Sequence, residues 1–124
     1  MIFKRQEGFR FVFNEPIEAS FVVISTGEKS DAQKIKHSCK ILDLSARGLK
    51  IYTEAEIGEY KNKPFSLEIH FVLDVTQIHA VGEIIWSRPF GQGRQYGIQL
   101  PDQPDIVDLI ISEMKERRGK EVLN

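Results

Sequence analysis

The chain has 124 residues, of which 41% are hydrophobic and 28% are charged. This composition predicts one soluble domain built around one core, without a second domain. The balance of 17 basic against 18 acidic residues argues against a dedicated nucleic-acid binder, because phosphate contacts usually require a basic excess.

The first residues and the single cysteine bear on the cellular compartment. Residues 1–7 contain no apolar segment of the kind found in signal peptides, and no later stretch approaches the roughly 18 apolar residues of a membrane span. Cys39 has no second cysteine, and no histidine at metal-ligand spacing, so it predicts neither a disulfide nor a zinc site. We therefore expect a cytoplasmic protein without membrane insertion, metal or cofactor.

The amino-terminal segment is polar and basic. Residues 1–13 are predicted to form a flexible arm that carries Lys4, Arg5 and Arg10, because no helical or strand period runs through its first part. Phenylalanines alternate towards the end of the arm and indicate the start of an extended segment. Residues 14–16 interrupt that segment before the first solid strand.

Alternating apolar residues predict six β-strands. The clearest is the fourth, in which every second residue from Phe65 to Leu73 is apolar, as expected for a strand with one buried face. Loops rich in Gly, Ser and charged residues separate the strands, and a turn is predicted at residues 89–93. The predicted strands cover residues 17–23, 36–44, 48–53, 65–73, 77–88 and 96–100.

The apolar period changes after Pro101 and predicts one amphipathic helix. Its N-cap is Asp102, or else it starts at Pro104, and Gly119 is predicted to end it after a cationic last turn. The apolar residues that repeat every three or four positions are Ile106, Leu109, Ile110 and Met114. We therefore predict a mainly β fold: a six-stranded antiparallel barrel over residues 14–101, with a C-terminal α-helix over residues 102–119 packed on its opening.

A polar motif joins the second and third predicted strands. Asp43 and Ser45 are two residues apart, so on an extended chain their side chains point to the same face. Gly48 allows either a positive φ or a close approach of a ligand to the backbone. The motif therefore indicates a small binding platform, although an ordinary hairpin that hydrogen-bonds its own backbone would have the same residues.

These features together resemble a PilZ domain. The resemblance covers nearly the whole chain and depends on the basic arm that ends in Arg10, the Asp43-x-Ser45-x-x-Gly48 turn, a strand bearing Trp86, the Tyr96-Gly97-Ile98-x-Leu100 segment and a final helix. It implies a six-stranded barrel that binds the bacterial second messenger cyclic di-GMP.

The family's arm has the pattern Arg-x-x-x-Arg, and this chain matches it only in part. Arg10 matches the second arginine, whereas Gln6 stands at the first, with Arg5 one residue earlier. Either the arm bulges so that Arg5 replaces the missing group, or Arg5 occupies the position ahead of the motif. The resemblance implies a ligand site of Arg5, Arg10, Asp43, Ser45 and Gly48.

The chemistry of these residues suits the ligand. An arginine fork pairs with phosphate or with guanine O6 and N7, and a carboxylate such as Asp43 can accept from guanine N1 and N2. Further candidates for ligand contact are Gln6, Lys4, Arg47 and Arg94.

Three functions remain open at this point. The first is a cyclic di-GMP receptor that relays the signal to an unidentified protein partner, in control of motility, exopolysaccharide or biofilm. The second is a PilZ-like interaction adaptor that has lost nucleotide binding because of Gln6. The third, a barrel for single-stranded nucleic acid, is disfavoured by the balanced charge. No nucleophile with a base and no phosphate loop is present, so we do not expect an enzyme, and we expect a monomer or weak dimer.

The remaining candidates have ordinary interpretations. Histidines 37, 70 and 79 are scattered along strands without a second ligand at motif spacing, so we predict surface or half-buried residues and no metal site. Trp86 and Tyr96 could stack on a base, but aromatic residues in small barrels usually fill the core, where we place Trp86.

Overall fold

A computed structural model describes residues 10–25, 35–45, 47–57, 65–101 and 103–123. They form six strands and one helix. The elements are β1 (Arg10–Ser25), β2 (His37–Ser45), β3 (Gly48–Thr53), β4 (Phe65–Val72), β5 (Gln77–Phe90), β6 (Gly93–Gln99) and α1 (Pro104–Leu123).

The strands form a closed antiparallel barrel in the order β1-β2-β3-β6-β5-β4. The predicted mainly β fold of six strands and a C-terminal helix is confirmed. Closure gives each strand a hydrogen-bonded neighbour on both sides along part of its length. Alternate side chains point inwards and make the core. The buried apolar residues include Phe21, Ile41, Leu44, Ile51, Leu67, Ile69, Phe71, Ile78, Ala80, Tyr96 and Ile98.

β1 begins earlier than the sequence predicts. Arg10 is already paired with Ser45 of β2, so the last residues of the predicted flexible arm belong to the barrel. The prediction that residues 14–16 break the strand is also wrong. They lie within β1, where the register with β2 shifts between Val12 and Ile17, because a bulge absorbs a proline that a regular ladder would not accept. Residues 1–9 lie outside the described residues.

The hairpin between β5 and β6 is tighter than predicted. Both strands extend into the predicted turn, with Pro89 paired to Arg94 and Phe90 to Gly93. The reversal is made at Gly91, whose φ of 60° lies in the left-handed region that favours glycine.

α1 packs on the barrel through the residues predicted from its period. Ile110 and Met114 are buried in the core, and Ile106 and Leu109 pack against it. The N-cap prediction for Asp102 falls outside the described residues. Gly119 does not end the helix, which continues to Leu123; one glycine lowers helix stability without terminating it.

Glu113 of α1 holds the turn between β4 and β5. Its Oε1 accepts hydrogen bonds from the backbone N–H groups of Asp74, Val75 and Thr76, at 2.8, 3.0 and 3.1 Å. Burial by itself raises the pKa of Glu113, but the hydrogen bonds from the Thr76, Asp74 and Val75 backbone outweigh it, so the pKa is lowered. The ionised carboxylate is therefore the form that the fold stabilises.

Two cations of α1 extend this contact. Arg117 Nη1 donates to the carbonyl of Leu73 at 2.8 Å, and Lys120 Nζ lies 2.6 Å from Asp74 Oδ1. Glu113, Arg117 and Lys120 are four and three residues apart, so they share one face of the helix. A polar stripe beside the apolar contacts therefore fixes the helix to the β4–β5 turn.

We expect Glu113→Gln to lower the free energy of unfolding at pH 7 by about 1–3 kcal/mol, because a neutral amide replaces the ionised carboxylate that accepts three part-buried backbone hydrogen bonds. Folding lowers the pKa of Glu113 from its ordinary value of 4.5. The charge of Glu113 therefore stabilises the fold fully at pH values above 4.5. This stabilisation is lost as the pH falls through the lowered pKa.

Urea unfolding at pH 7 and at about pH 3 measures the difference. The exposed Glu116→Gln on the same helix is the control and should have little effect at either pH. An effect of Glu113→Gln that is the same at both pH values would contradict the account.

We expect Gly119→Ala to raise the free energy of unfolding by about 0.5–1 kcal/mol. Gly119 is exposed inside α1, and an added Cβ would meet no atom within 4 Å. Thermal and urea unfolding of the variant measure the gain. A neutral or destabilising result would mean that the helix does not extend through this position in solution.

Candidate functional site

A groove of about 320 Å³ opens beside the junction of β2 and β3. A volume of this order is typical of small-molecule sites. Three cationic side chains and one carboxylate line it, together with a tryptophan and the backbone of β6. The lining residues are Arg10, Asp43, Ser45, Arg47, Gly48, Leu49, Lys50, Ile85, Trp86, Gly97, Ile98 and Gln99.

Asp43 lies at the centre of the charged wall. Its Oδ1 is 3.3 Å from Arg10 Nη1, and its Oδ2 is 3.6 Å from Lys50 Nζ. Strand pairing produces this arrangement, because β2 lies between β1 and β3 and places Asp43 opposite Lys50 and diagonal to Arg10. The Asp43 side chain is only 11% exposed, whereas that of Arg10 is 60% exposed. The cations outnumber the carboxylate, so the groove suits an anion.

Ser45 and Gly48 lie in the same groove and shape its floor. Ser45 Oγ donates to the Gly48 carbonyl at 3.2 Å, as in the ordinary hairpin interpretation. Of the two expected reasons for Gly48, a positive φ is wrong, whereas the close approach of a ligand to its backbone stays a prediction. A Cβ at this position would collide with the Ile98 carbonyl oxygen, so Gly48 permits β3 to approach β6.

Arg47 forms the bend between the two strands. Its carbonyl accepts a hydrogen bond from the Leu100 N–H at 2.9 Å, which ties the bend to the end of β6. Its side chain is exposed at the rim of the groove. Arg47 therefore adds positive charge to the groove entrance.

The prediction that Trp86 lies in the core is wrong. Its side chain lines the groove, and the residue is 37% exposed. The register between β5 and β6 shifts between Ile84 and Trp86, which turns Ile85 and Trp86 outwards. The indole covers Gly97 on the neighbouring strand, where a Cβ would collide with the ring. The exposed part of the indole offers an aromatic surface to a ligand. Tyr96, by contrast, is buried in the core.

Arg94 is not brought to the groove. It pairs with Thr53 and Pro89 at the other end of β6, and its Nη2 donates to Ser87 Oγ at 3.1 Å. Lys4, Arg5 and Gln6 lie outside the described residues, so the structure does not place them. Among the described candidates, Arg10, Asp43, Ser45, Arg47 and Gly48 meet in one groove.

Sequence reasoning missed Lys50 and Gln99 as groove residues. Lys50 carries a signal, because it lies two residues after Gly48 on the same strand and so on the same face. Gln99 has no such signal; it reaches the groove because β6 pairs it with Gly48, and the strand order decides that contact.

Histidines 70 and 79 are not isolated from each other. They are directly opposite on β4 and β5, with ring centroids 4.2 Å apart. His70 is half-buried and His79 is exposed, as predicted. Strand pairing nevertheless brings the two side chains together, although their spacing in the sequence does not indicate it. His37 packs instead against Phe21, with ring centroids 5.2 Å apart.

Cys39 is buried in the core, as a small apolar residue would be. Burial, with a smaller contribution from the charge of Glu18, raises the pKa of the Cys39 thiol to about 12. The thiolate is therefore scarce at neutral pH and the side chain is unreactive.

The described residues form a closed β barrel with a cationic, partly aromatic groove on its wall. The model of the PilZ domain family matches residues 4–114, and the chain belongs to the PilZ domain family. PilZ domains are binding domains rather than enzymes. In the part of the chain that the structure describes, no helix is long and apolar enough to cross a membrane.

Solved structures support the fold. The chain is similar to the PilZ domain of CeSA from a cellulose-synthesizing bacterium, with 20% identity, a TM-score of 0.53, and coverage of 92% of this chain and 99% of that chain. It is also similar to the PilZ domain of YcgR from Escherichia coli in a structure with c-di-GMP, with 14% identity, a TM-score of 0.52, and coverage of 91% and 94%. A search of curated proteins gives no match.

We expect Gly97→Ala to displace the indole of Trp86, because the new methyl group would occupy the space of the ring. Overpacking of this kind costs about 1–3 kcal/mol of folding free energy. Trp86 is the only tryptophan, so intrinsic fluorescence reports on it alone. The emission should move to longer wavelength as the indole meets more water. Gly119→Ala is the control, and an unchanged spectrum in Gly97→Ala would contradict the described contact.

Proposed function

We propose that this protein is a receptor for cyclic di-GMP, which binds in the groove beside Asp43, and that binding is relayed to a protein partner. The observation that carries the proposal is the buried Asp43 carboxylate between Arg10 and Lys50 in a chain of the PilZ family. The partner belongs to a process such as motility, exopolysaccharide production or biofilm formation.

The charges of the groove match the two phosphates of the ligand. Arg10 is mostly exposed and approaches Asp43 from the rim, so its guanidinium can turn to a phosphate without a change in the strand. Lys50 is more buried, with a side-chain exposure of 30%, and stays beside Asp43. Arg47 supplies a third cation at the entrance. Each charge-assisted hydrogen bond to phosphate adds affinity that falls as salt rises.

The neutral and acidic groups of the groove match guanine. Once Arg10 turns to a phosphate, Asp43 Oδ1 can accept from the N1 and N2 donors of a guanine, while Lys50 compensates the charge of Oδ2. Ser45 supplies a hydroxyl beside it. Lys4, Arg5 and Gln6 come before β1 in the sequence and remain candidates for ligand contact.

The test is isothermal titration calorimetry with cyclic di-GMP at moderate salt, with GTP and cyclic di-AMP as ligand controls. We expect selective binding by the wild type. Arg10→Ala should weaken it by about 10-fold to 150-fold, the equivalent of about 1.5–3 kcal/mol for a charged hydrogen bond. Asp43→Asn should weaken it while selectivity for guanine falls.

Lys40→Ala is the matched control for loss of one exposed cation, because Lys40 is on β2 but does not line the groove. Its affinity should equal that of the wild type. Absence of heat from the wild type at high ligand concentration would overturn the receptor proposal and leave the interaction adaptor, which the Gln6 position favours. In that case Gln6→Arg should restore binding.

A further inference from the structure

A cluster of possible metal ligands lies on the outer surface of the barrel, on β4 and β5. Glu68 and His70 are two residues apart on β4, and His79 is directly opposite His70 on β5. The residues between them, such as Ile69 and Ala80, are buried in the core, so the three side chains share the outer face. None of the three lines the groove beside Asp43.

The three side chains are close enough to share one ion. Glu68 Oε1 lies 3.2 Å from His70 Nε2, and the imidazoles of His70 and His79 are stacked, with 4.2 Å between centroids and 22° between planes. One ligand atom of each residue lies within 4.8 Å of those of the other two.

The Nε2 atom of the half-buried His70 lacks a hydrogen-bond partner among the described residues. The side chain of His70 is 11% exposed, and its Nε2 has no hydrogen-bond partner of good geometry among the described residues, despite the nearby Glu68 oxygen. A buried ring nitrogen of this kind is normally paired. A metal ion would satisfy it and would use the Glu68 carboxylate at the same time.

From this arrangement we propose that Glu68, His70 and His79 bind a divalent transition-metal ion of the zinc class, with water in the remaining position. Imidazole nitrogen and carboxylate oxygen suit Zn²⁺ and its neighbours, whereas Mg²⁺ and Ca²⁺ prefer sites made of oxygen alone. The set of two histidines and one glutamate leaves a four-coordinate ion one open position.

Side-chain rotation alone can close the site. Ligand atoms about 2.1 Å from a tetrahedral zinc ion are about 3.4 Å apart, and the three ligand atoms of the cluster already lie within 4.8 Å of one another. His79 is exposed, so its ring can turn towards the ion while the half-buried His70 stays in place. The backbone ladder from Leu67 to Val72 of β4 holds both strands in register during this movement.

Such an ion would join β4 to β5 next to the turn that α1 holds. The same two strands lead into the turn at Asp74, which Glu113 and Lys120 contact. An ion that binds only the folded protein stabilises it in proportion to its concentration relative to Kd. The expected consequence is a metal-dependent rise in thermal stability that does not require cyclic di-GMP.

The test uses the full chain without an affinity tag. Isothermal titration calorimetry with Zn²⁺ should show one equivalent bound per chain. Thermal unfolding in the presence of Zn²⁺ should show a raised unfolding temperature. In NMR spectra of the histidine side chains, Zn²⁺ should shift the signals of His70 and His79 and leave those of His37 unchanged. His79→Ala and Glu68→Gln should each lower the affinity for Zn²⁺ at least 10-fold, the equivalent of about 1.4 kcal/mol. Both are partly or fully exposed, so the fold should survive.

His37→Ala is the matched control, because His37 packs on Phe21 away from the cluster. Its affinity for Zn²⁺ should equal that of the wild type. The proposal is overturned if the wild type shows no saturable binding, if His79→Ala and Glu68→Gln bind as the wild type does, or if His37→Ala loses as much affinity as His79→Ala. Equal binding of Mg²⁺ would also overturn it.

Discussion

The buried carboxylate of Asp43 is the constraint around which the groove is organised. A carboxylate that is withdrawn from water needs cations or hydrogen bonds, and the cost of leaving it unpaired is several kcal/mol. Arg10 and Lys50 meet this requirement from the two strands that flank β2. The pairing of β1, β2 and β3 at this end of the barrel therefore places three charges together, with an excess of positive charge that suits an anion.

The barrel separates the groove from the elements that stabilise the helix. α1 is held by Glu113, Arg117 and Lys120 at the β4–β5 turn, whereas the groove is formed by β2, β3, β5 and β6 with the first residue of β1. The groove depends on two glycines. Gly48 lets β6 approach the backbone of β3, and Gly97 lets the indole of Trp86 approach the backbone of β6.

Much of this architecture could be predicted from the sequence. Apolar residues alternate in β3 and β4, and they recur every three or four residues after Pro101. Both patterns are local and therefore visible along the chain. The Asp43 and Ser45 pair could be predicted for the same reason. A shared face is a property of one strand, and both residues line the groove.

What could not be predicted depends on register between strands. A bulge in β1 hides the continuity of the strand through Pro16, and a shift between β5 and β6 turns Trp86 out of the core. The contact of His70 with His79 and the position of Gln99 next to Gly48 require knowledge of which residues are paired. A single sequence does not record these pairings.

The central claim is that cyclic di-GMP occupies the groove around Asp43, and NMR titration of the isotope-labelled protein with the ligand tests it most directly. The account predicts that the largest shift changes occur at Asp43, Ser45, Lys50 and the indole N–H of Trp86, with little change at the β4–β5 turn. Changes confined to the turn, or no changes at saturating ligand, would contradict it.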